Sequence, residues 1–197
     1  MGYRATTPEF RASFVSVFKP KAVKGDTSGT VKYSVMALFP KGADLKALKE
    51  AAKSAAKDKW GDTYEAVLKH PKFKMPIKDQ ADLVSEDGNP YAGTTPGALY
   101  CNFASEIKPG LVDEAVQDII EQTEFYSGCY ARAKVEAYAW EHPTGGKGVS
   151  FELHHVQRLR KGDPLGGAGV RSKPQDDFEP VAVATDDMPK AANSVFD

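Results

Sequence analysis

The sequence contains little cysteine and no long apolar run. Only two of its 197 residues are cysteines, Cys101 and Cys129, which is too few for a disulfide scaffold. Its longest strand-like apolar run, 35–39, is far shorter than the roughly 18 residues of a membrane-spanning helix. The first nine residues also lack the apolar segment of a secretory signal. We therefore expect a chain that stays in a reducing compartment, the cytoplasm, with both thiols free.

The sequence also lacks the common metal and nucleotide motifs. Its four histidines are isolated or adjacent, and neither cysteine lies in a C-x-x-C pair, so no zinc site is expected. The glycine-rich segments 144–148 and 164–169 miss required positions of the P-loop and of G-x-G-x-x-G. No nucleophile and base stand in a recognisable arrangement. We expect no metal, no cofactor and no enzymatic activity.

Charge divides the chain into two parts of opposite sign. Residues 172–197 hold six acids and two bases, three prolines and no periodic apolar face, which predicts a disordered acidic tail. Residues 1–171 hold 24 bases and 21 acids and are expected to form one domain. This asymmetry favours a body that meets a polyanion and a tail that competes for that surface or recruits a partner. A merely solubilising tail would have the same composition.

Hydrophobic patterning predicts a mainly β domain. The segments 11–18, 31–39, 98–103, 128–140 and 149–159 have the composition of strands. A helix is expected behind Asp44 as far as Trp60, and a short helix over 112–121. The region 70–96, rich in proline, glycine and aspartate, reads as an excursion between helix and strand. Five strands and one or two helices are typical of a small OB-like barrel.

The segment 128–140 is the most informative because its residues alternate for a dozen positions. Its odd positions are small or apolar, as the interior of a narrow barrel requires. Its even positions are aromatic or charged and would face outward: Tyr130, Arg132, Lys134, Glu136, Tyr138 and Trp140. Such a face can stack bases on its aromatic rings and hold the nucleic-acid backbone with its cations. Tyr100, on the neighbouring predicted strand, would extend this platform sideways.

Three alternatives to a nucleic-acid-binding face remain open. The excursion 70–96 could cover Tyr138 and Trp140 while the charged side chains form ordinary cross-strand pairs. The aromatic face could instead bind a peptide. A metal-dependent nuclease is the enzymatic alternative, with Asp79, Asp82 and Glu86 of the excursion gathering magnesium.

Several short blocks resemble a family of phage single-stranded-DNA-binding proteins first catalogued as a domain of unknown function. They are FKPK at 18–21, FPK at 39–41, YSGCYA at 126–131, KGVSF at 147–151, VQR at 156–158, GDPLGG at 162–167 and DDF at 176–178. The resemblance implies an OB-fold that holds single-stranded DNA without chemistry or a cofactor. It also implies that the protein coats and protects the strand during phage DNA replication or recombination in the host cytoplasm.

From this platform and this resemblance we predict which residues contact DNA. The aromatic side chains expected to stack on bases are Tyr130, Tyr138, Trp140 and Tyr100. The cations expected to pair with phosphates are Arg132, Lys134, Lys19, Lys21, Lys147 and Arg158.

The end of the tail resembles the acidic tails through which such proteins dock on replication or recombination partners. Asp186, Asp187 and Phe196 would carry this contact. The pattern departs from the usual one in two respects, because Lys190 dilutes the charge and Asp197 follows the terminal aromatic residue.

Overall fold

A computed structural model describes residues 3–23, 29–143 and 146–166, which all belong to one unit, Met1–Gly167. The predicted acidic tail, with Asp186, Asp187 and Phe196, lies outside the described residues. The described strands are β1 (Tyr3–Thr6), β2 (Phe10–Ala22), β3 (Val31–Leu38), β4 (Phe73–Lys74), β5 (Ile77–Asp79), β6 (Leu99–Ser105), β7 (Gly110–Val112), β8 (Tyr130–His142) and β9 (Gly146–Arg160). The helices are α1 (Lys46–Trp60) and α2 (Tyr64–Leu68), with 3-10 turns at Gly61–Thr63, Gln80–Asp82 and Gln122–Glu124.

Five of these strands close into a hydrogen-bonded ring in the order β8, β2, β3, β6, β9 and back to β8. Neighbours in the ring are antiparallel except β6 and β9, which are parallel. The ring strands are the five that the sequence predicts, so the mainly β, OB-like fold is confirmed. The four short strands β1, β4, β5 and β7 were not expected, and each adds to the edge of a ring strand.

The core fills the interior of this ring and the space beneath α1. Fully buried phenylalanines line it, and the Phe103 ring meets the rings of Phe10 and Phe151 edge-on at centroid distances of 6.1 and 5.9 Å. Small residues on the inner face of β8 leave room for these rings. Cys101 and Cys129 are buried and free, as predicted, and burial raises the pKa of the Cys101 thiol.

The predicted helix is confirmed as α1. The N-cap position falls at Leu45 rather than at Asp44, but Asp44 Oδ1 still accepts the backbone N–H of Lys46, the first helical residue, at 2.9 Å. Gly61, at a φ of 52°, follows the last turn in a conformation that other residues rarely adopt. Leu48 and Ala55 bury the apolar face of the helix. Among the described residues, no helix is both long enough and apolar enough to cross a membrane.

The short helix predicted over 112–121 is wrong. Asp113 Oδ1 accepts the backbone N–H groups of Ala115 and Gln117, each at 2.9 Å, and Val112 bridges to Asp118. These bonds fold the segment into a tight turn after β7. Aspartate competes in this way with helical backbone hydrogen bonds, which is why apolar spacing alone misled the prediction.

The excursion 70–96 is fastened to the ring by a buried glutamine. Gln80 Nε2 donates to the carbonyl oxygens of Phe39 and Leu99, each at 2.8 Å, while its Oε1 accepts the Thr95 N–H at 2.8 Å. One side chain thus joins the excursion to both β3 and β6. This arrangement holds the excursion against the outside of the ring.

Candidate nucleic-acid interface

The outer face of β8 carries the predicted aromatic and charged residues. The inner positions Ala131, Ala133, Val135 and Ala137 are buried, as the alternation requires. On the outer face Arg132 and Lys134 are exposed, Tyr138 is 43% exposed, and Tyr130, Glu136 and Trp140 are half-buried. From Ala131 to Tyr138 the inner and outer sets do not mix, so the outer residues there face solvent without exposing the core; beyond Tyr138 the alternation ends, with Ala139 half-buried and Glu141 exposed.

Trp140 is the best anchored aromatic residue of this face. Its indole N–H donates to Ser150 Oγ at 2.9 Å across the β8–β9 hairpin. Its ring lies over Gly148, where an added Cβ would stand 2.7 Å from the ring, and the Lys74 ammonium lies 5.5 Å from the ring centroid. The indole is therefore fixed in place with a cation beside it.

We call the part of β8 that carries Tyr138 and Trp140 the hairpin end. Charged residues lie around it. The Lys147 ammonium lies 3.0 Å from Glu141, whose other carboxylate oxygen accepts the Trp60 indole N–H at 3.2 Å. Tyr138 lines a shallow hollow of about 410 Å³ together with Lys32, the residue opposite Lys21 on β3. The tertiary structure thus brings Lys32 to Tyr138 and Lys74 to Trp140, whereas the Glu141–Lys147 pair lies one position further along the hairpin, on its other face.

A second aromatic and cationic cluster, the arginine end, lies where β8 begins. The Arg160 guanidinium stacks on the Tyr130 ring, 3.3 Å from its centroid, and Arg11 lies 5.7 Å from the same centroid. Arg160 is also held by Glu9 at 2.9 Å. Tyr130, Arg160 and Arg11 line a pocket of about 280 Å³ beside the excursion. Since Arg160 occupies a face of the Tyr130 ring, a base stacking there would have to displace it.

Between the two ends the outer face is interrupted by acids. Glu136 lies opposite Glu152 and contacts Arg4 at 2.9 Å and His154 at 3.2 Å. The hydrogen bond from Arg4, followed by the charges of Arg4 and His154, lowers the pKa of the Glu136 carboxyl. Tyr130 and Trp140 are ten residues apart, about 33 Å along a strand. The outer face is therefore two aromatic clusters joined by a mixed-charge segment.

Arg132 and Lys134 lie in this segment, between Tyr130 and Glu136. Arg132 Nε donates to Gln157 Oε1 at 2.8 Å, while Lys134 Nζ lies 3.4 Å from Thr6 Oγ1. Cross-strand contacts of the ordinary kind are therefore present, as the alternative interpretation requires. Within the part of the chain that the structure describes, neither cation has an acidic partner within 4.0 Å, so both positive charges stay available there.

Arg158, predicted to pair with phosphate, is turned into the protein instead. Its guanidinium lies 2.8 Å from both Glu114 and Glu124, and the residue is only 6% exposed. The cause is a bulge in β9, where the pairing shifts by one residue between His155 and Leu153. Before the bulge the odd residues of β9 face inward, and after it the even residues do.

Tyr100, predicted to extend the platform, is also covered. It lies on the outside of the ring as expected, but it is 8% exposed beneath the excursion. Leu83 and Leu165 pack on it together with Leu38. Burial raises the pKa of the Tyr100 hydroxyl. The alternative interpretation expected the excursion to cover Tyr138 and Trp140. Tyr138 is 43% exposed and Trp140 is half-buried beside Lys74, whereas the covering of Tyr100 was not foreseen.

Lys19 and Lys21 lie on β2 rather than in the predicted hairpin loop, because the strand runs on to Ala22. Both lysines are exposed. The loop residues 24–28 that follow lie outside the described residues. Strand pairing therefore positions Lys21, opposite Lys32 of β3.

Sequence reasoning missed three cations of these clusters: Arg11, Lys74 and Arg160. Arg160 follows Arg158 by two residues, so its position beside Tyr130 depends on the register of the β8–β9 pair. Lys74 reaches Trp140 because β4 pairs with β9 in parallel. No local signal marks either contact, since both join segments far apart in sequence.

The acids of the nuclease alternative do not form a metal site in the structure. Asp79 Oδ1 accepts the Ala81 N–H at 2.8 Å and the Gly97 N–H at 3.3 Å, so this carboxylate organises the excursion backbone. Within residues 3–23, 29–143 and 146–166, no three His, Cys, Asp or Glu side chains converge as metal ligands. Nothing in the geometry therefore favours Asp79, Asp82 and Glu86 as a catalytic centre.

A five-stranded ring of this order, with aromatic and basic side chains on its outside, is typical of OB-fold proteins that bind nucleic acid. Residues 4–189 match the family model of the Enterobacter phage Enc34 ssDNA-binding protein. A relative, protein p50 of Acyrthosiphon pisum secondary endosymbiont phage 1, is 31% identical over 185 residues, covering 90% of this chain and 93% of that protein. The chain belongs to the family of the Enc34 ssDNA-binding protein.

Solved structures share the fold at low sequence identity. The single-stranded DNA-binding protein from bacteriophage Enc34, in complex with ssDNA, is 20% identical with a TM-score of 0.64 and covers 83% of this chain and 89% of its own. Gp2.5, a single-stranded DNA binding protein encoded by bacteriophage T7, is 16% identical with a TM-score of 0.58. That match covers 90% of this chain and 98% of gp2.5.

Proposed function

We propose that this protein binds single-stranded DNA with little sequence preference, along the outer face of β8 and β9. The observation that carries the proposal is the separation of the two faces of β8. Its inner residues form the core, while Tyr138, at 43% exposed, and the cations Arg132 and Lys134 face solvent. A strand that served only stability would have no need of this outer set. Membership of the Enc34 family supports the same function.

The hairpin end is the main base-binding region in this proposal. Trp140 is fixed by Ser150 and Gly148, so its ring loses little conformational entropy when a base stacks on it. Tyr138 and Trp140 are two positions apart on the strand, so their side chains lie on the same face, about 7 Å apart. Lys147 near the tip of the hairpin and the exposed Lys21 of β2 are the cations that would pair with phosphates of the bound strand. Stacking accepts any base, which accounts for the absence of sequence preference.

The mixed-charge segment carries the strand past the centre of β8 in this proposal. Arg132 and Lys134 hold the phosphates there, because the charge of Glu136 is already paired with that of Arg4. At the arginine end, Arg160 and Arg11 offer further phosphate contacts beside Tyr130. No bond is made or broken in this function, and the protein acts by binding alone.

In the cell, such binding would coat and protect single strands during phage DNA replication or recombination, in the cytoplasm of the host. The tail at 172–197 would recruit replication or recombination proteins through Asp186, Asp187 and Phe196. Its charge is opposite in sign to that of residues 1–171, which favours competition with DNA for the body.

Fluorescence anisotropy of a labelled oligothymidine of about 30 nucleotides tests the proposal. The protein is titrated at two salt concentrations beside the matching duplex. We expect binding that prefers the single strand and weakens as salt rises. Binding that ignores salt and strandedness would instead indicate a peptide-binding face, and absence of binding would overturn the proposal.

Two variants locate the binding surface. Tyr138→Ala removes an exposed ring of the hairpin end and is expected to weaken binding, whereas Ile120→Ala removes a more exposed apolar side chain from the segment after β7. Ile120, 84% exposed, is a matched control for the loss of an apolar surface residue. Equal effects of the two substitutions would show that the platform is placed wrongly.

A further inference from the structure

Phe14 combines two unfavourable features on strand β2. Its φ is 46°, in the left-handed region that non-glycine residues rarely occupy, and its side chain is 49% exposed. The residue lies where β2 is bulged, since the pairing with β3 shifts between Ser13 and Ser16. Backbone strain of this kind persists only where surrounding contacts fix it, and it is concentrated at functional sites.

The surroundings of Phe14 do fix it. The N–H of the next residue, Val15, donates to Ser127 Oγ at 3.2 Å, and the Gly128 N–H donates to the Ala12 carbonyl at 2.8 Å. These bonds tie both flanks of the bulge to the segment before β8. The backbone therefore holds the Phe14 ring on the surface rather than in the core.

The Phe14 ring meets one other aromatic ring, that of Tyr91 in the excursion. Their centroids are 5.0 Å apart and their planes cross at 88°, an edge-to-face contact. Tyr91 is 37% exposed and is itself positioned by its N–H, which donates to the Leu83 carbonyl at 3.1 Å. An edge-to-face pair of half-exposed rings leaves ring faces open to solvent, and a flat apolar ligand fits such a face.

The pair adjoins the arginine end. Arg11 precedes Phe14 by three residues and Gly93 follows Tyr91 by two, and both line the pocket of about 280 Å³ that Tyr130 and Arg160 complete. An aromatic surface next to two arginines suits a ligand with flat bases and a phosphate backbone. An apolar protein partner would have no use for the two guanidinium groups.

We propose that Phe14 and Tyr91 form a second base-stacking site, separate from the hairpin end, for the same single strand of DNA. The inference rests on the proposed function, because its ligand is a nucleobase of the bound strand. The strand then runs from the hairpin end along β8 to the arginine end, where a base leaves the Tyr130 pocket and stacks on the Phe14–Tyr91 pair. In this proposal the strained backbone at Phe14 is kept because it directs the ring toward solvent.

The substitution Phe14→Gly separates this role from a structural one. Glycine tolerates a φ of 46°, so the variant keeps the backbone conformation of the bulge and should fold, which urea denaturation checks. We expect its affinity for oligothymidine to fall about five- to hundredfold, the loss that removal of one stacked base gives, with an unchanged salt slope. A purely structural Phe14 would give unchanged affinity.

Val116→Gly is the matched control. Val116 also has a positive φ, 62°, and a 68% exposed apolar side chain, but it lies in the turn after β7. Relief of strain at this position should leave DNA affinity unchanged. Tyr91→Leu provides a second test of the aromatic pair that leaves the β2 bulge intact, and it should weaken binding as Phe14→Gly does.

Photocrosslinking gives a direct readout. Oligothymidine carrying 5-iododeoxyuridine is bound to the full chain and irradiated, and the crosslinked peptide is identified by mass spectrometry. Crosslinks at Phe14 or Tyr91 are the expected result. Wild-type binding with unaffected Phe14→Gly and Tyr91→Leu, and crosslinks elsewhere, would overturn this inference alone. Absence of wild-type binding would overturn the proposed function and this inference with it.

Discussion

The indole N–H of Trp140 donates to Ser150 Oγ at 2.9 Å, across the hairpin that joins β8 to β9. Ser150 lies opposite Tyr138 in the register, so one hydroxyl orients the indole beside the neighbouring exposed ring. The indole ring is therefore preorganised for stacking before a base binds. The first prediction follows from this contact.

Trp140→Ala should cost about 1 to 3 kcal/mol of binding free energy for single-stranded DNA, because a stacking surface is lost. The salt dependence should barely change, since no charge is removed. Trp140→Phe keeps an aromatic face and should recover most of the affinity. Anisotropy titrations of the three proteins provide the comparison, and unchanged affinity in the alanine variant would remove Trp140 from the site.

Lys134→Ala should weaken binding and, unlike Trp140→Ala, also change its salt dependence. Lys134 is exposed, and its loss removes one phosphate contact. The slope of log affinity against log salt should become shallower by about 0.7, the value for one contact on a single strand. Titrations at four or more salt concentrations measure this slope. A parallel shift with no change of slope would mean that Lys134 touches no phosphate.

Arg158→Met should lower stability and leave DNA binding intact. The buried guanidinium is paired with the exposed carboxylates of Glu114 and Glu124 at 2.8 Å each, so we expect a loss of about 1 to 3 kcal/mol in the free energy of unfolding. Urea denaturation measures the loss, and anisotropy under native conditions measures binding. Weaker binding by the folded variant would return Arg158 to the list of phosphate contacts.

The Glu136 carboxyl should make stability depend on pH. Its pKa is lowered in the folded state by the hydrogen bond and charge of Arg4 and by His154, so this stabilisation is complete above the pKa of the unfolded chain. It is lost as pH falls through the lower folded value. Wild type should therefore exceed Glu136→Gln in stability at neutral pH, and the difference should shrink in acid. A difference independent of pH in urea titrations would contradict this.

Deletion of 172–197 should tighten DNA binding and weaken its response to salt. The segment holds six acids and two bases, while residues 1–171 hold 24 bases and 21 acids, so the deletion makes the net charge positive. Repulsion between tail and DNA then disappears, together with any competition for the body. The same anisotropy assay on the truncated chain tests this. Unchanged affinity would show that the tail does not compete with DNA.

Local patterning was sufficient for the elements whose signal lies in consecutive residues. The strict alternation of 128–140 predicted the inner and outer faces of β8, and Asp44 with its following apolar spacing predicted α1. Local patterning failed over 112–121, where Asp113 captures the backbone N–H groups that a helix would use.

The sequence by itself determined the mainly β fold, the two faces of β8 and the opposite charges of body and tail, because periodicity and composition are properties of the chain. The tertiary structure decided which outward residues stay exposed. The bulge in β9 turned Arg158 inward, the excursion covered Tyr100, and strand pairing brought Arg160 to Tyr130 and Lys74 to Trp140. Each of these contacts joins residues distant in sequence, so its geometry exists only once the ring has closed.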